Sequence, residues 1–456
     1  MMIRKRVLLL SPPTVNGSMI IKDQYCSNTS KAGYYWIPVD LLVLSGDLSD
    51  HFELKVLDAI VEKKSLEEVV KEVRDFTPDH IVVLSSILTH HSDRALIADL
   101  KKDLSFKTTF IGDVFYFSPK QMIEFSEVDS IIYEYPCPQL VRYIQEGTAE
   151  SNIVYKTEEK VIYTPAVKET EVKYSTPRHE LFPVKRYSVP FMMEKLCTSV
   201  LTNFGCKFSC NYCPGSSVNY RERSVEDIIS ELTHIKSLGI NNVWIRDFTF
   251  ALNKERSIKL LAELTPLKVN WFCLSRSEIL EESLLQQMKD SGCYLIMVGV
   301  DTINEAAMKQ IKRQQNTNEL KAKIEQIENK GIFVLSHMII GLPGDRYRDM
   351  IRTIHYLNSS KASFLSINLF APRTGSAYFN EINIHSEEAS NLDSYYGEQA
   401  SGLQRFFYLM IKNYGMILFY SNPRRLLGII SRIKTRTQLK ILLRTGIKMF
   451  IPQPKN

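Results

Sequence analysis

No run of 18 or more apolar residues occurs in the 456-residue chain, so no helix is expected to span a bilayer. No signal peptide is expected either. Arg4, Lys5 and Arg6 precede only Val7-Leu8-Leu9-Leu10, a run too short for an export signal that ends at Ser11-Pro12-Pro13. The expectation is a cytoplasmic protein with reduced thiols, which excludes a disulfide framework. Cysteines number only eight, and no second close Cys or His pair follows Cys213, which argues against a zinc site. Acids vanish after Ser401: residues 401–456 hold eleven Lys and Arg and no Asp or Glu. Of the formal net charge of +6, residues 1–400 therefore carry −5. The basic character belongs to the tail and not to the body, and no nucleic-acid partner is expected.

What is present centres on Gly205-Cys206-Lys207-Phe208-Ser209-Cys210-Asn211-Tyr212-Cys213. The spacing is Cys-x3-Cys-x2-Cys. Three thiolates on one short loop can hold three corners of an iron–sulfur cluster, provided the chain reverses between them. Gly205 before the run and Pro214-Gly215 after it are residues that permit such a reversal. Three ligands on a four-iron cluster leave one iron open, as catalytic metal sites keep an open position.

Around the loop the chain alternates strand-like and helix-like segments. Val7–Leu10, Phe52–Leu57, His80–Leu84, Thr108–Ile111 and Ser130–Tyr133 read as strands, and Ser65-Leu66-Glu67-Glu68 is a capping box that opens a helix. The expected fold class is α/β, with residues 1–150 forming a doubly wound parallel sheet whose ligands sit beyond the carboxyl strand ends. Residues 151–185 read as a hairpin and a proline-marked linker. From 186 to 385 six more strands alternate with helices: Cys197–Thr202, Asn242–Ile245, Val269–Leu274, Tyr294–Val300, Ile332–Ile340 and Phe364–Phe370. This suits a partial (β/α)6 barrel with its site at the carboxyl strand ends. Residues 386–456 form a basic region with two expected helices, Leu403–Phe419 and Pro423–Phe450. They read either as a helical cap with a solvated basic face or as a surface for an anionic membrane or a lipid-like substrate. Cys197, Cys273 and Cys293 lie in apolar strands and read as core, while Cys26 and Cys137 lie in loops.

The cysteine spacing, with the aromatic Tyr212 before the third cysteine, resembles the radical S-adenosylmethionine (SAM) enzymes. The resemblance implies that Cys206, Cys210 and Cys213 ligate a [4Fe-4S] cluster whose open iron chelates SAM. It also implies an external electron donor, which reduces the cluster so that SAM splits into methionine and a 5′-deoxyadenosyl radical. Strand-end residues take their expected roles from the same resemblance. Arg246 and Asp247 stand at the Gly-Gly-Glu-like position for the SAM amino group. Ser275 and Arg276 suit the SAM carboxylate or ribose. Gly299 and Asp301 stand where Gly-x-Glu is usual, and Ile340 and Gly341 where backbone faces the adenine.

Residues 1–150 resemble the cobalamin-binding domain of the B12-dependent subfamily. Trp36-Ile37-Pro38, Leu57-Asp58-Ala59 and Ser86-Ile87-Leu88 match its pattern, and Gly112 takes part of its Gly-Gly place. Asp113 replaces the second glycine, and no Asp-x-His-x-x-Gly is present, so no histidine below the cobalt is identified. His90 and His91 lie at a strand end where a ligand could be met. Cobalamin binding, and methylation of an unactivated carbon on a small-molecule or lipid-like substrate, are the implied function. Radical rearrangement without methyl transfer and a non-catalytic cluster protein are the alternatives.

Overall fold

The computed structural model describes the chain except for residues 1–3, 16, 24, 26, 31–32, 168, 383–401 and 450–456. Cys26, the start of the basic region at 386–401 and the chain end at 450–456 lie outside the described residues. The strands are β1 (Arg6–Ser11), β2 (Ile20–Ile21), β3 (Asn28–Thr29), β4 (Glu53–Asp58), β5 (His80–Leu84), β6 (Lys107–Ile111), β7 (Ser130–Ile132), β8 (Ile153–Lys156), β9 (Val161–Tyr163) and β10 (Glu171–Val172). They continue with β11 (Thr198–Val200), β12 (Asn203–Phe204), β13 (Arg221–Arg223), β14 (Asn242–Ile245), β15 (Asn270–Ser275), β16 (Cys293–Asp301), β17 (Phe333–Ile340) and β18 (Phe364–Leu369). Two compact units divide at Val189/Pro190, and the described C-terminal helices belong to the second.

The first unit is built on a seven-stranded sheet in the order β4-β1-β5-β6-β7-β8-β9. The first five strands pair in parallel, and β8 and β9 add antiparallel. Val7–Leu10 and all of β5 are buried, as expected of strands covered on both faces. The order reverses at β1, which places the switch-point crevice beyond the carboxyl ends of β1 and β5. The hairpin expected at residues 152–163 is present and extends this sheet. The capping box is present too: Glu68 N–H donates to Ser65 Oγ, and Ser65 N–H to Glu68.

The second unit holds a six-stranded sheet in the order β11-β14-β15-β16-β17-β18, parallel throughout. Helices alternate with these strands, so all six carboxyl ends share one edge. Two small antiparallel strands, β12 and β13, bracket the cysteine loop and were not expected.

Beyond residue 401, the expected Leu403–Phe419 helix is Gly402–Tyr420. The single helix expected over Pro423–Phe450 is two, Pro423–Ile430 and Arg436–Met449. The break has a capping cause: Gln438 N–H donates to Thr435 Oγ1 at 3.0 Å and Lys434 N–H to Gln438 Oε1 at 3.0 Å. Thr435-x-x-Gln438 is a capping signal inside what reads as continuous apolar periodicity. No helix among the described residues is long and apolar enough to cross a membrane.

Candidate active site

The cysteine loop leaves β11 through β12 and turns at Gly205. This glycine has φ +68°, and a Cβ there would fall 2.4 Å from the Val218 carbonyl oxygen, so no other residue fits without a shift. The loop is then pinned by its own backbone. Cys213 N–H donates to the Cys210 carbonyl at 3.2 Å, and Ser216 Oγ donates to the carbonyls of Cys210 and Cys213. Asn211 N–H reaches the Ile311 carbonyl at 3.1 Å, and its side-chain amide reaches the Gln310 carbonyl at 3.1 Å. Cys210 is buried, Cys206 and Cys213 are partly exposed, and none is in a disulfide.

Two strand ends grip this loop. From β15, Arg276 Nη1 donates to Cys210 Sγ at 3.8 Å, and its guanidinium lies 3.8 Å over the Phe208 ring. Burial raises the Cys210 pKa, while Arg313 and Arg276 pull it back down. From β16, Asp301 accepts from Tyr212 Oη at 2.6 Å and from Arg313 Nε at 3.0 Å. Asp301 and Arg313 are both buried, and Arg313 also donates to the Gly299 carbonyl, which Gln315 shares at 3.2 Å. The loop is thus locked to strand-end residues expected at the SAM site, and three of its own residues, Phe208, Cys210 and Tyr212, receive the contacts.

Asp247, at the end of β14, faces inward. Its carboxylate accepts from the Thr202 N–H at 2.7 Å, the Asn203 N–H at 3.2 Å and Asn203 Nδ2 at 2.9 Å, and from the Thr202 hydroxyl. Burial pushes its pKa up to about 6 against those donors. Asp247 therefore holds the chain just ahead of the cysteines. Arg246 stacks on Trp244, 4.4 Å from the ring. The Ser275 hydroxyl donates to the Phe250 carbonyl at 2.9 Å, and the Ile340 carbonyl accepts from Phe370 N–H at 2.8 Å. Gly341 has φ +84°, and a Cβ there would meet the Tyr408 ring at 2.7 Å, so the Gly402–Tyr420 helix packs on this strand-end turn.

Sequence reasoning passed over Arg313, because only the fold returns it from a helix end to β16. It also passed over the groove beside the loop. Ser209, Met308, Lys309, Lys312, Arg313 and Gln315 line a cavity of about 550 Å³ there, a size suited to a small molecule.

At the carboxyl edge of the first sheet, Ser86 Oγ and Thr89 Oγ1 lie 3.0 Å apart, and Leu88 is half-buried. Gly112 has φ +132°, and a Cβ would come within 1.9 Å of the Ser85 carbonyl oxygen. Asp113, which stands where a second glycine is usual, accepts from Ile87 N–H at 2.7 Å and Ser27 N–H at 3.1 Å, and so ties three connections together. His90 is 2% exposed and neither ring nitrogen has a hydrogen-bond partner. Burial, with His91 and Arg94 nearby, lowers its pKa to about 3, so the ring is neutral. An orphaned buried imidazole at a switch-point edge is a polar group left for a ligand to meet.

The donor sets fit the groups implied by the sequence. Three thiols on one reversed loop, one with a guanidinium N–H on its sulfur, suit a cluster. Among the described residues no three His, Cys, Asp or Glu converge on a single metal ion, and a cluster spreads its thiolates wider than one ion does.

Comparison with known proteins agrees. Residues 200–357 match the radical SAM superfamily model. An uncharacterized methyltransferase of Pyrococcus horikoshii is 23% identical over 390 residues, covering 81% of each chain. The radical SAM methyltransferase TsrM from Kitasatospora setae, solved with cobalamin and a [4Fe-4S] cluster bound, superposes with a TM-score of 0.65 at 17% identity, over 83% of this chain and 78% of its own. The cobalamin-dependent SAM radical enzyme OxsB superposes with a TM-score of 0.69 at 13% identity, over 98% of this chain and 72% of its own. The fold is that of these enzymes. The cysteine loop, at the carboxyl edge of the six-stranded parallel sheet, lies within the residues that match the radical SAM superfamily model.

Proposed function

We propose that this enzyme is a cobalamin-dependent radical SAM methyltransferase acting on an unactivated carbon. The observation that carries the reading is the loop Cys206-x3-Cys210-x2-Cys213, fixed by Arg276 and by Asp301 at adjacent strand ends. Cys206, Cys210 and Cys213 would hold a [4Fe-4S] cluster, which supplies the electron that cleaves SAM. Ser86, Leu88, Gly112 and His90 would line the cobalamin site, and cobalamin supplies the methyl group.

The chain's own residues prepare these sites. Arg276 places a positive charge and an N–H on Cys210. Tyr212, Asp301 and Arg313 keep the loop against β16, and Asp247 holds Thr202 and Asn203 so that the loop enters at a fixed angle. Arg246, Ser275, Gly299, Ile340 and Gly341 stand at the strand ends that face SAM in this reading. Residues 1–150 act as the cobalamin-type domain, 186–385 as the radical SAM core and 386–456 as the basic region. The protein is cytoplasmic, draws electrons from an external donor and takes a small-molecule substrate. The exposed apolar and basic C-terminal helices support a lipid-like one.

Anaerobic reconstitution followed by turnover with methyl-labelled SAM tests the reading. The expected result is about four irons per chain, 5′-deoxyadenosine and S-adenosylhomocysteine. The Cys206→Ala/Cys210→Ala/Cys213→Ala protein should lose the iron and SAM cleavage together. 5′-Deoxyadenosine without S-adenosylhomocysteine would replace methyl transfer by rearrangement or ring formation.

A further inference from the structure

The Gly402–Tyr420 helix is apolar on two sides. One side packs on the second unit: Tyr408, Ile411, Gly415, Met416 and Phe419 are buried. The opposite side carries Leu403, Phe406, Phe407, Met410, Tyr414 and Ile417, all exposed. Their spacing of three, four and seven keeps them on one stripe. Leu403 is 71% exposed and Ile417 58%, so the stripe is open at both ends. It continues onto the neighbouring Tyr347–Asn358 helix. Tyr347 lies 5.7 Å from the Phe407 ring, and Ile351, one turn further, is exposed as well. Tyr414 closes the row by hydrogen bonding to His355 at 3.0 Å.

Charge selects the occupant. Among the described residues Arg346, Arg348 and Arg352 flank this apolar row, against two acids on the same segment: Asp349, which is buried and accepts from Arg346 at 3.1 Å, and Asp345, which is half-buried and accepts from Asn304 at 3.0 Å and Thr302 at 3.2 Å. The last helix repeats the composition. Its exposed positions are Leu439, Leu443 and Ile447 with Arg436, Lys440 and Arg444, and no acid lies anywhere in 401–456. A protein partner would ordinarily be met by charges of both signs at the rim. An apolar stripe whose exposed charges, among the described residues, are cationic while its nearby acids are turned inward to other partners matches the boundary of an anionic bilayer, where acyl chains take the apolar residues and headgroups take the cations. No described helix is long and apolar enough to cross such a bilayer, so the fit is peripheral.

We propose that the face formed by the Tyr347–Asn358 and Gly402–Tyr420 helices docks on anionic lipid membrane. It deepens the lipid-like substrate reading above and rests on it only for its purpose. Tyr408, on the inner side of the same helix, lies against the Gly341 turn at the strand ends. A docked membrane therefore sits one helix diameter from the edge where substrate would be met.

The test is sedimentation of the full-length protein with sucrose-loaded vesicles, without SAM or reductant. One set is phosphatidylcholine with one part in four phosphatidylglycerol, and the other is phosphatidylcholine alone. At low salt the anionic vesicles should carry the protein down and the neutral ones should not, with binding lost at 0.5 M salt. Met410→Asp/Ile417→Asp should lower the partition coefficient at least tenfold, and Arg348→Glu/Arg352→Glu should do so while leaving the apolar face intact. Both pairs are exposed, so circular dichroism should match that of the parent protein. No sedimentation of the parent protein with anionic vesicles overturns the proposal. So does binding by both variants at the level of the parent protein. A dimer in light scattering that Met410→Asp/Ile417→Asp dissociates, without vesicle binding, would give the face to a second copy. The assay needs no turnover, so its failure leaves methyl transfer standing, and failure to form S-adenosylhomocysteine leaves the docking face standing.

Discussion

Arg276 reaches from the end of β15 to donate an N–H to the Sγ of Cys210 at 3.8 Å, and it is held there by stacking on Phe208 and by Glu278 at 3.1 Å. A cation and a donor beside one thiolate favour the state with the extra electron, because hydrogen bonds to sulfur and net charge set cluster potentials.

Arg276→Met should therefore make the reconstituted cluster harder to reduce. A charge-assisted hydrogen bond is worth about 1.5–3 kcal/mol in total, and only its difference between two oxidation states counts. That difference corresponds to a shift on the order of −50 mV for a one-electron couple. Arg276→Lys should recover part of it. Redox titration followed by EPR reads the shift directly, and an unchanged potential in Arg276→Met would leave Arg276 as packing only.

The ion pair between Asp301 and Arg313 is buried, so its breakage is expected to cost more than its presence contributes. Asp301→Asn leaves Arg313 charged without its partner and should destabilise the second unit by about 3–5 kcal/mol. Tyr212→Phe, which removes one donor from the same carboxylate, should cost about 1 kcal/mol. Asp301→Asn/Arg313→Met should recover part of the loss. Denaturant unfolding of the parent, these three variants and Arg313→Met checks this, and additive losses in the double variant would show that the two residues are not coupled.

How much of this was readable beforehand follows from sequence distance. The cysteine loop was legible because its chemistry lies within eight residues, and the two sheets because β-α alternation is a repeated local pattern. Asp301 could be placed at a strand end, yet nothing local says that Arg313 returns to it. Asp247 was placed correctly at the end of β14, but its inward aim toward Thr202 and Asn203 depends on β11 lying alongside. The Thr435 cap was legible in principle and was masked by an apolar period that runs through it. His90 could be set at a strand end, whereas the loss of partners at both ring nitrogens is a property of packing alone.

Asp58, at the end of β4, is fully buried and accepts from Tyr187 Oη at 3.0 Å. Burial pushes its pKa up to about 7, opposed by the Tyr187 hydroxyl and by Lys22. The folded state then binds a proton more tightly than the unfolded chain, whose aspartate titrates near 3.9. Stability should fall as pH rises from about 4 to 7 and level off above, because between these values the folded state holds the extra proton. The ceiling is on the order of 4 kcal/mol, at about 1.4 kcal/mol per unit. Asp58→Asn should remove this slope and be the more stable protein at pH 8. Urea midpoints across pH 4–8 decide it, and a parallel pH profile in Asp58→Asn would assign the titration elsewhere.

Gly415 lies in the interior of the Gly402–Tyr420 helix, where glycine costs about 1 kcal/mol relative to alanine. A Cβ there would stand 2.7 Å from Ile367 Cδ1 and 2.9 Å from Ile354 Cδ1. Those side chains belong to β18 and to the Tyr347–Asn358 helix, so glycine lets the C-terminal helix close on both at once. Gly415→Ala adds helix propensity and asks two flexible methyl ends to move, and the two effects should nearly cancel. Gly415→Leu has no such escape: overpacking of this kind costs about 1–3 kcal/mol, paid at the helix contact and not in the sheet. The expected outcome is faster hydrogen exchange and proteolysis across 402–420 in Gly415→Leu, with β14 to β17 protected as before. Because Tyr408 rides on the same helix against Gly341, loosening should spread to residues 341–344 and stop there. Protection unchanged over 402–420 would mean that the helix is held by contacts other than this one.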